Sequence, residues 1–233
     1  MNIAEAFPVT KDLGLIDASV DSVATTVVRW SATFGQRRKS RRVDSLEDAL
    51  KSMEPLSADM RRMAIVPTQA GWSAVFQSGI NGSDPGSLMP VLAGRLRTSA
   101  MRVCSSPPSV KYPATIWENY LGTATPENET VAPHGRTICA ANDGGRWRFL
   151  SSGAPYDFEN IENYLKPRVG DRFTRELLAT YLARFSLYPF DDAFYDVTSA
   201  RPAIIVETVR RWREPRFPEF SYAEVLAGLP WSR

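Results

Sequence analysis

The feature that most constrains the fold is a short turn between two apolar runs in the second half of the chain. The sequence Asn-Asp-Gly-Gly at 142–145 separates the apolar runs 137–141 and 147–150. Asn, Asp and Gly tolerate the positive φ angles that tight hairpin turns require. The pattern therefore predicts a β-hairpin, and its simplest interpretation is a turn with no chemical role.

Helical patterns lie on both sides of this hairpin. Val20, Val23, Val27, Trp30 and Phe34 recur at steps of three and four, which is typical of one face of an amphipathic helix. Capping residues and apolar spacing predict further helices at 45–53, from Asp84 and Pro85 to 96, from about 157 to 165, from 174 to 185 and after the Ser221 and Glu224 capping box.

Runs rich in β-branched and aromatic residues predict strands in the middle of the chain. They lie within 61–79, around a turn at 69–71, and at about 100–104, 114–121, 137–141, 147–150 and 203–209. Strands grouped in this way predict the α+β class, with an antiparallel or mixed central sheet flanked by helices. We expect a single domain over 1–233, with 1–57 as an N-terminal helical portion and 200–233 as a C-terminal strand-helix extension.

The composition is that of an ordinary globular protein. Hydrophobic residues make up 43% and charged residues 23% of the chain, which excludes disordered and fibrous classes. The sequence has no run of about 18 apolar residues and no basic, apolar leader. We therefore expect a cytoplasmic protein without a membrane partner.

Residues that carry common chemistries are few and scattered. Cys104 and Cys139 lie in strand-like sequence, where we expect reduced, buried thiols. His134 has no second His near it, so we predict no metal site and no catalytic dyad. Gly144 and Gly145 lie between strands rather than at a helix start, so no phosphate loop is predicted and no cofactor is expected.

The acidic residues of the second half are the best candidates for a site. They are Asp143, Glu159, Glu162, Asp191 and Asp192. Paired carboxylates can act as acid and base when an apolar environment raises the pKa of one of them. On exposed turns and helix faces, carboxylates instead contribute to partner binding, and we predict that role for all of them.

Two groups of arginines raise the possibility of nucleic-acid binding. One is the run from Arg37 to Arg42, predicted to be a loop; the other, beside Trp212 and Phe217, contains Arg210, Arg211, Arg213 and Arg216. The formal net charge of only +2 implies many acidic neighbours, which weaken attraction to phosphate. We do not expect nucleic acid to be the partner.

The block AANDGGRW, followed by DRFTRELLATYLA and PFDDAFY, resembles uncharacterised bacterial proteins of the toxin-immunity type. The resemblance spans roughly Trp72 to Tyr195. It implies a protein that binds and neutralises a toxin, and it implies no catalytic residue.

Three functions are consistent with these observations. The first is a non-enzymatic interaction protein, most concretely a bacterial immunity protein that binds a cognate toxin. It follows from the absence of a catalytic motif and from a body rich in Trp, Tyr and Arg, the usual anchors of interfaces. The alternatives are a carboxylate-dependent hydrolase or transferase using Asp143 and Asp191, and a nucleic-acid-binding module using the arginines.

Overall fold

The protein is built around one large antiparallel sheet, which confirms the predicted α+β class. The computed structural model describes residues 6–80, 82–122, 131–209 and 217–229. The sheet has nine strands, and its neighbours pair in the order β2-β10-β4-β5-β1-β6-β7-β8-β9. The strands are β1 (Asp12–Ile16), β2 (Arg38–Val43), β4 (Arg62–Pro67), β5 (Ser73–Gln77), β6 (Ala100–Ser105), β7 (Ala114–Tyr120), β8 (His134–Asn142), β9 (Trp147–Ser152) and β10 (Ala203–Thr208). Two short strands, β3 (Leu56–Ser57) and β11 (Glu219–Phe220), form a separate ribbon.

Five α-helices accompany the sheet among the described residues. They are α1 (Val20–Thr33), α2 (Leu46–Lys51), α3 (Leu88–Leu96), α4 (Arg175–Ala183) and α5 (Tyr222–Leu226). Ser19, Ser45, Thr174 and Ser221 each accept a hydrogen bond from a backbone N–H of the first turn, as helix N-caps do. The predicted capping box of Ser221 and Glu224 is present. The local signals therefore place most helix starts correctly.

The sheet separates two hydrophobic cores. On one side, which we call the α1 face, α1 and α3 cover Ile16, Ile65 and Val206. On the other side, the α4 face, α2 and α4 pack with the segments from 156 to 195 over Trp117 and Ile138. Successive residues of a strand point to opposite faces, so six strands contribute side chains to both cores: β1, β4, β5, β6, β7 and β10. The buried apolar side chains of β8 all belong to the core of the α4 face.

Three predicted elements differ in the structure. The predicted helix start at Asp84 and Pro85 is a 3₁₀ turn, Pro85–Ser87, in which the Asp84 side chain makes no capping hydrogen bond, and the α-helix begins at Leu88. The basic run at 37–42, predicted to be a loop, forms most of edge strand β2, whose side chains are mainly exposed. Charged side chains are compatible with an edge strand because they discourage pairing with other chains. The predicted helix at 157–165 is only a 3₁₀ helix, Ile161–Leu165, and its Leu165 is 79% exposed. Tertiary contacts of Glu159, described below, replace a regular first turn there.

The two ends of the chain both enter the main sheet. Residues 1–57, predicted as a helical portion, contain α1 and α2 but also β1, β2 and β3. Strand β1 lies between β5 and β6, and β10 of the C-terminal extension lies between β2 and β4.

Among the described residues, no helix combines the length and the apolar character that crossing a membrane requires. Arg210, Arg211, Trp212, Arg213 and Arg216 lie outside the described residues.

Candidate protein-binding surface

The strand register places a row of side chains across five strands on the α1 face. Asp12 of β1 is the partner of Cys104, which pairs in turn with Ile116. Ile116 is the partner of Cys139, and Cys139 of Leu150. Cross-strand partners share a face of the sheet, so these side chains form one continuous row. The row begins at a buried carboxylate and ends at edge strand β9.

Helices cover only the first part of this row. A side chain on Gly14 of β1 would overlap Met89 of α3, so that helix lies directly on the sheet there. The buried side chain of Tyr120 on β7 also packs in the core beneath α3. The cover ends on β7 itself: Tyr120 is buried, whereas Ile116 on the same strand and Cys139 on β8 are partly exposed, and Leu150 on β9 is 55% exposed. We call the outward side chains Ile116, Cys139, Leu150 and Arg148, together with the backbone of β9, the β9 surface.

The backbone of β9 gives this surface a second means of binding. Strand β9 pairs with β8 on one side and is the last strand of the sheet. Among the described residues, no strand pairs with its outer side. An edge strand presents unpaired N–H and C=O groups along that side, and an extended segment of another protein can pair with them.

The thiols of the row behave as apolar groups. Burial raises the pKa of the Cys104 thiol and the pKa of the Cys139 thiol. Both cysteines are free. They therefore stay neutral at ordinary pH, and Ile116, Cys139 and Leu150 form an uncharged strip.

A network of charged residues, which we call the border, lies beside this strip on the side of β1 and β6, away from the edge strand β9. Arg102 of β6 donates three hydrogen bonds to Asp12: Nε donates to both carboxylate oxygens, over 3.1 and 3.2 Å, and Nη2 donates to Oδ2 over 2.6 Å. The same guanidinium lies 3.3 Å from the Asp84 carboxylate and 3.6 Å from that of Glu118. The Tyr120 hydroxyl donates to Glu118 over 2.9 Å. One arginine thus holds three carboxylates in fixed positions.

The border carries an excess of negative charge. Burial raises the pKa of Asp12 to about 6, against the opposing effect of Arg102. Even when Asp12 is neutral, the two negative charges of Asp84 and Glu118 exceed the one positive charge of Arg102. The Asp84 side chain is 63% exposed, so its charge is accessible from solvent. The electrostatic potential beside the apolar strip therefore favours a basic group.

The structure places the sequence-predicted carboxylates in different environments. Asp143, in the hairpin turn, forms an exposed ion pair of 3.2 Å with Arg148, whose side chain belongs to the β9 surface. Asp191 is exposed and accepts a hydrogen bond from the backbone N–H of Ala193. Glu162 lies exposed on the 3₁₀ helix at 161–165. Asp143 is therefore next to the β9 surface, whereas Glu162, Asp191 and Asp192 belong to segments that pack on the α4 face.

Glu159 is held inside the protein. Its carboxylate accepts hydrogen bonds of 2.8 and 2.6 Å from Arg136, and further ones from the Tyr164 hydroxyl and the Tyr156 backbone. Although burial favours the neutral acid, these donors hold the pKa of Glu159 below its ordinary value. Its side chain is 0% exposed, so in this conformation the carboxylate cannot contact an external partner.

Sequence reasoning missed the residues that make up the border and the strip. Asp12, Arg102 and Glu118 are far apart in sequence and meet only through the pairing of β1, β6 and β7. The sequence predicts Leu150 as part of an apolar run, and the alternation of Trp147 and Phe149 with Arg148 and Leu150 is the signal that Leu150 points to the other face. Among the described residues, no group of three or more His, Cys, Asp or Glu side chains could hold a metal ion.

Comparisons of the chain with family models, with curated proteins and with solved structures found no match.

Proposed function

We propose that the chain is a non-enzymatic protein-interaction module and that its partner binds to the β9 surface. The observation that carries the proposal is the uncovered strip of Ile116, Cys139 and Leu150 beside an unpaired edge strand. Apolar side chains provide contact area that excludes water, and the edge backbone provides hydrogen bonds in a defined register. Together they suit a protein segment better than a small molecule.

The chemistry of the border suggests the character of this segment. Asp84 and Glu118 lie beside the strip and leave a negative excess around Arg102. An extended segment that alternates apolar with basic side chains would place apolar groups on the strip and Lys or Arg near these carboxylates. The resemblance to bacterial toxin-immunity proteins suggests a toxin as the partner and a cytoplasmic site of action, and both belong to this proposal.

The alternatives have less support from the arrangement of side chains. A carboxylate-dependent enzyme would need two carboxylates at one substrate, but Asp143 pairs with Arg148 while Asp191 caps a turn on the other face. A nucleic-acid-binding strand would need free cations. Two of the four cations of β2 are ion-paired: Lys39 lies 3.0 Å from Glu207 and Arg42 lies 2.5 Å from Asp21. This pairing weakens the attraction of the strand to phosphate.

The proposal is tested by comparing two exposed leucines on opposite faces. Tagged wild-type chain, Leu150→Lys and Leu165→Lys are used to capture partners from a lysate of the source organism, and the captured protein is purified for binding measurements. Leu150→Lys puts a charge in the apolar strip, and we expect it to weaken binding by about tenfold or more. Leu165→Lys is the matched control, because Leu165 is also exposed, at 79% against 55% for Leu150, but lies on the α4-face side of the molecule.

Charge changes separate this surface from the carboxylates predicted from sequence. Asp84→Asn should weaken binding and reduce its dependence on salt, since one attractive charge is removed. Glu162→Gln and the double change Asp191→Asn with Asp192→Asn should leave binding unchanged. If Leu150→Lys binds as well as the wild type while the double change abolishes binding, the partner binds to the α4 face and the proposal is wrong.

A further inference from the structure

A cleft of about 670 Å³ lies at one end of the sheet, apart from the β9 surface. Its walls come from the residues just before β1, the end of β6, the start of β9, the first turn of α4 and the loop after Pro189. The residues that the argument uses are Lys11, Ser105, Thr115, Trp147, Arg175 and Phe190. The volume falls within the range of about 300–1,000 Å³ that is typical of small-molecule sites.

Two cations in this cleft have no ion-pair partner among the described residues. Lys11 is only partly exposed, and burial lowers the pKa of its ammonium group. The guanidinium of Arg175 lies over the Phe190 ring, 4.4 Å from its centroid, which fixes its direction. A partly buried ammonium without a counter-ion is unfavourable, and an anion in the cleft would offset that cost.

The carboxylates of the cleft are engaged elsewhere. Hydrogen bonds from its own backbone N–H and from Thr174 lower the pKa of Glu176, with a smaller effect of the Arg175 charge. Asp171 lies 4.0 Å from Arg168 on its own turn. Neither comes within 4.0 Å of a nitrogen of Lys11 or Arg175. The two cations of the cleft are therefore balanced in number by two carboxylates but are in direct contact with neither.

Aromatic and hydroxyl groups complete the lining. Trp147, the first residue of β9, is partly exposed and lines the cleft together with Phe190. Ser105 and Thr115 are cross-strand partners of β6 and β7, and their side chains make no hydrogen bond within the described residues. An indole face can pack on a planar ring, and hydroxyls can donate to the oxygens of an anion.

We propose that this cleft binds a small organic anion that carries a planar ring. The anionic group lies between Lys11 and Arg175, and the ring packs against Trp147. A nucleoside phosphate and an aromatic carboxylate share this chemistry. Trp147 belongs to β9, but its side chain points to the α4 face, whereas Arg148 and Leu150 of the β9 surface point to the α1 face. The cleft and the β9 surface therefore use opposite faces of the strand.

Calorimetric titration of the full chain with ADP, indole-3-acetate and uncharged adenosine tests the site and distinguishes the two sources. We expect saturable binding of at least one anion at concentrations up to about 1 mM, and binding of adenosine at least about tenfold weaker. Lys11→Met and Arg175→Gln should each weaken binding of that anion by about tenfold. Arg184→Gln, at the other end of α4, is the matched control and should not change it.

A second measurement distinguishes a binding residue from a structural one. Lys11→Met removes a partly buried, unpaired cation, so its melting temperature should equal or exceed that of the wild type although its anion binding is weakened. Trp147→Phe should reduce the change in intrinsic fluorescence that the anion causes. Absence of saturable binding of both anions, or equal binding by wild type, Lys11→Met and Arg175→Gln, would overturn the proposal.

Discussion

Arg136 and Glu159 form a two-pronged ion pair in the interior of the protein, with side chains 2% and 0% exposed. The remaining Arg136 donor, Nη1, donates to the carbonyl oxygens of Ser152 and Gly153. The pair thus ties the end of the β8–β9 hairpin to the segment that precedes the 3₁₀ helix at 161–165. Each of the three guanidinium nitrogens of Arg136 has an acceptor. The ion pair therefore fixes the position of the segment around Glu159 relative to the hairpin more tightly than apolar contacts alone would.

Replacing Glu159 by Ala should destabilise the protein severely. The change leaves the Arg136 guanidinium buried without its counter-ion, which typically costs about 3–5 kcal/mol. Urea unfolding followed by far-ultraviolet circular dichroism measures the loss. Glu162→Ala, three residues away and exposed, is the control and should change the free energy of unfolding by less than about 0.5 kcal/mol. Equal effects of the two substitutions would show that the ion pair does not hold the segment.

The hairpin turn should depend on a glycine at 144. Gly144 has a φ of +91°, and a Cβ there would lie 3.0 Å from Cε1 of Tyr112. Gly144→Val should therefore cost about 1–3 kcal/mol and lower the melting temperature. Gly145→Ala is the control, since the nearest atom to its Cβ would be 3.7 Å away, an ordinary contact. A melting temperature of Gly144→Val equal to that of Gly145→Ala would be inconsistent with the turn.

Asp12 should make the stability depend on pH in a direction opposite to that of most carboxylates. Its pKa is raised from 3.8 to about 6, so the folded state holds a proton that the unfolded chain releases more easily. This contribution is present below pH 3.8 and is lost as the pH rises through about 6. The free energy of unfolding of the wild type, relative to Asp12→Asn, should fall over that range.

Urea midpoints of both proteins at intervals from pH 4 to pH 7 give this difference. Asn does not titrate, so the comparison removes the pH dependence of groups that both proteins share. A difference that stays constant, or that grows as the pH rises, would mean that Arg102 dominates and keeps Asp12 ionised throughout.

The elements that local sequence specifies were predictable, and those that depend on pairing between distant segments were not. Ser45, Thr174 and Ser221 act within one helical turn, so their caps are visible in the sequence. The Asn-Asp-Gly-Gly turn is local in the same way. The basic strand β2 was missed because its pairing with β10 joins residues more than 150 positions apart, and charged side chains conceal a strand at a sheet edge.

The β9 surface could not be predicted from the sequence for a related reason. A row that runs from Asp12 to Leu150 exists only once β1, β6, β7, β8 and β9 have a register. Leu150 is exposed because α3 covers the sheet over β1 and part of β7 but does not reach β9. The extent of that cover depends on how distant segments pack, so it cannot be predicted from any one segment of the sequence. The acidic residues of 143–192 were identifiable by type, but Glu159 was placed inside by Arg136, its distant partner.

Backbone amide hydrogen exchange tests the central claim most directly, because it locates the partner without any substitution. The chain is compared alone and in complex with the partner isolated by capture. Alternate amides of an edge strand have no ladder acceptor, so those within 147–152 should exchange rapidly in the free chain. Binding at the β9 surface should slow their exchange strongly and leave 188–194 unchanged. Protection confined to 188–194 and the 3₁₀ helix at 161–165, with β9 exchanging as in the free chain, would contradict the account.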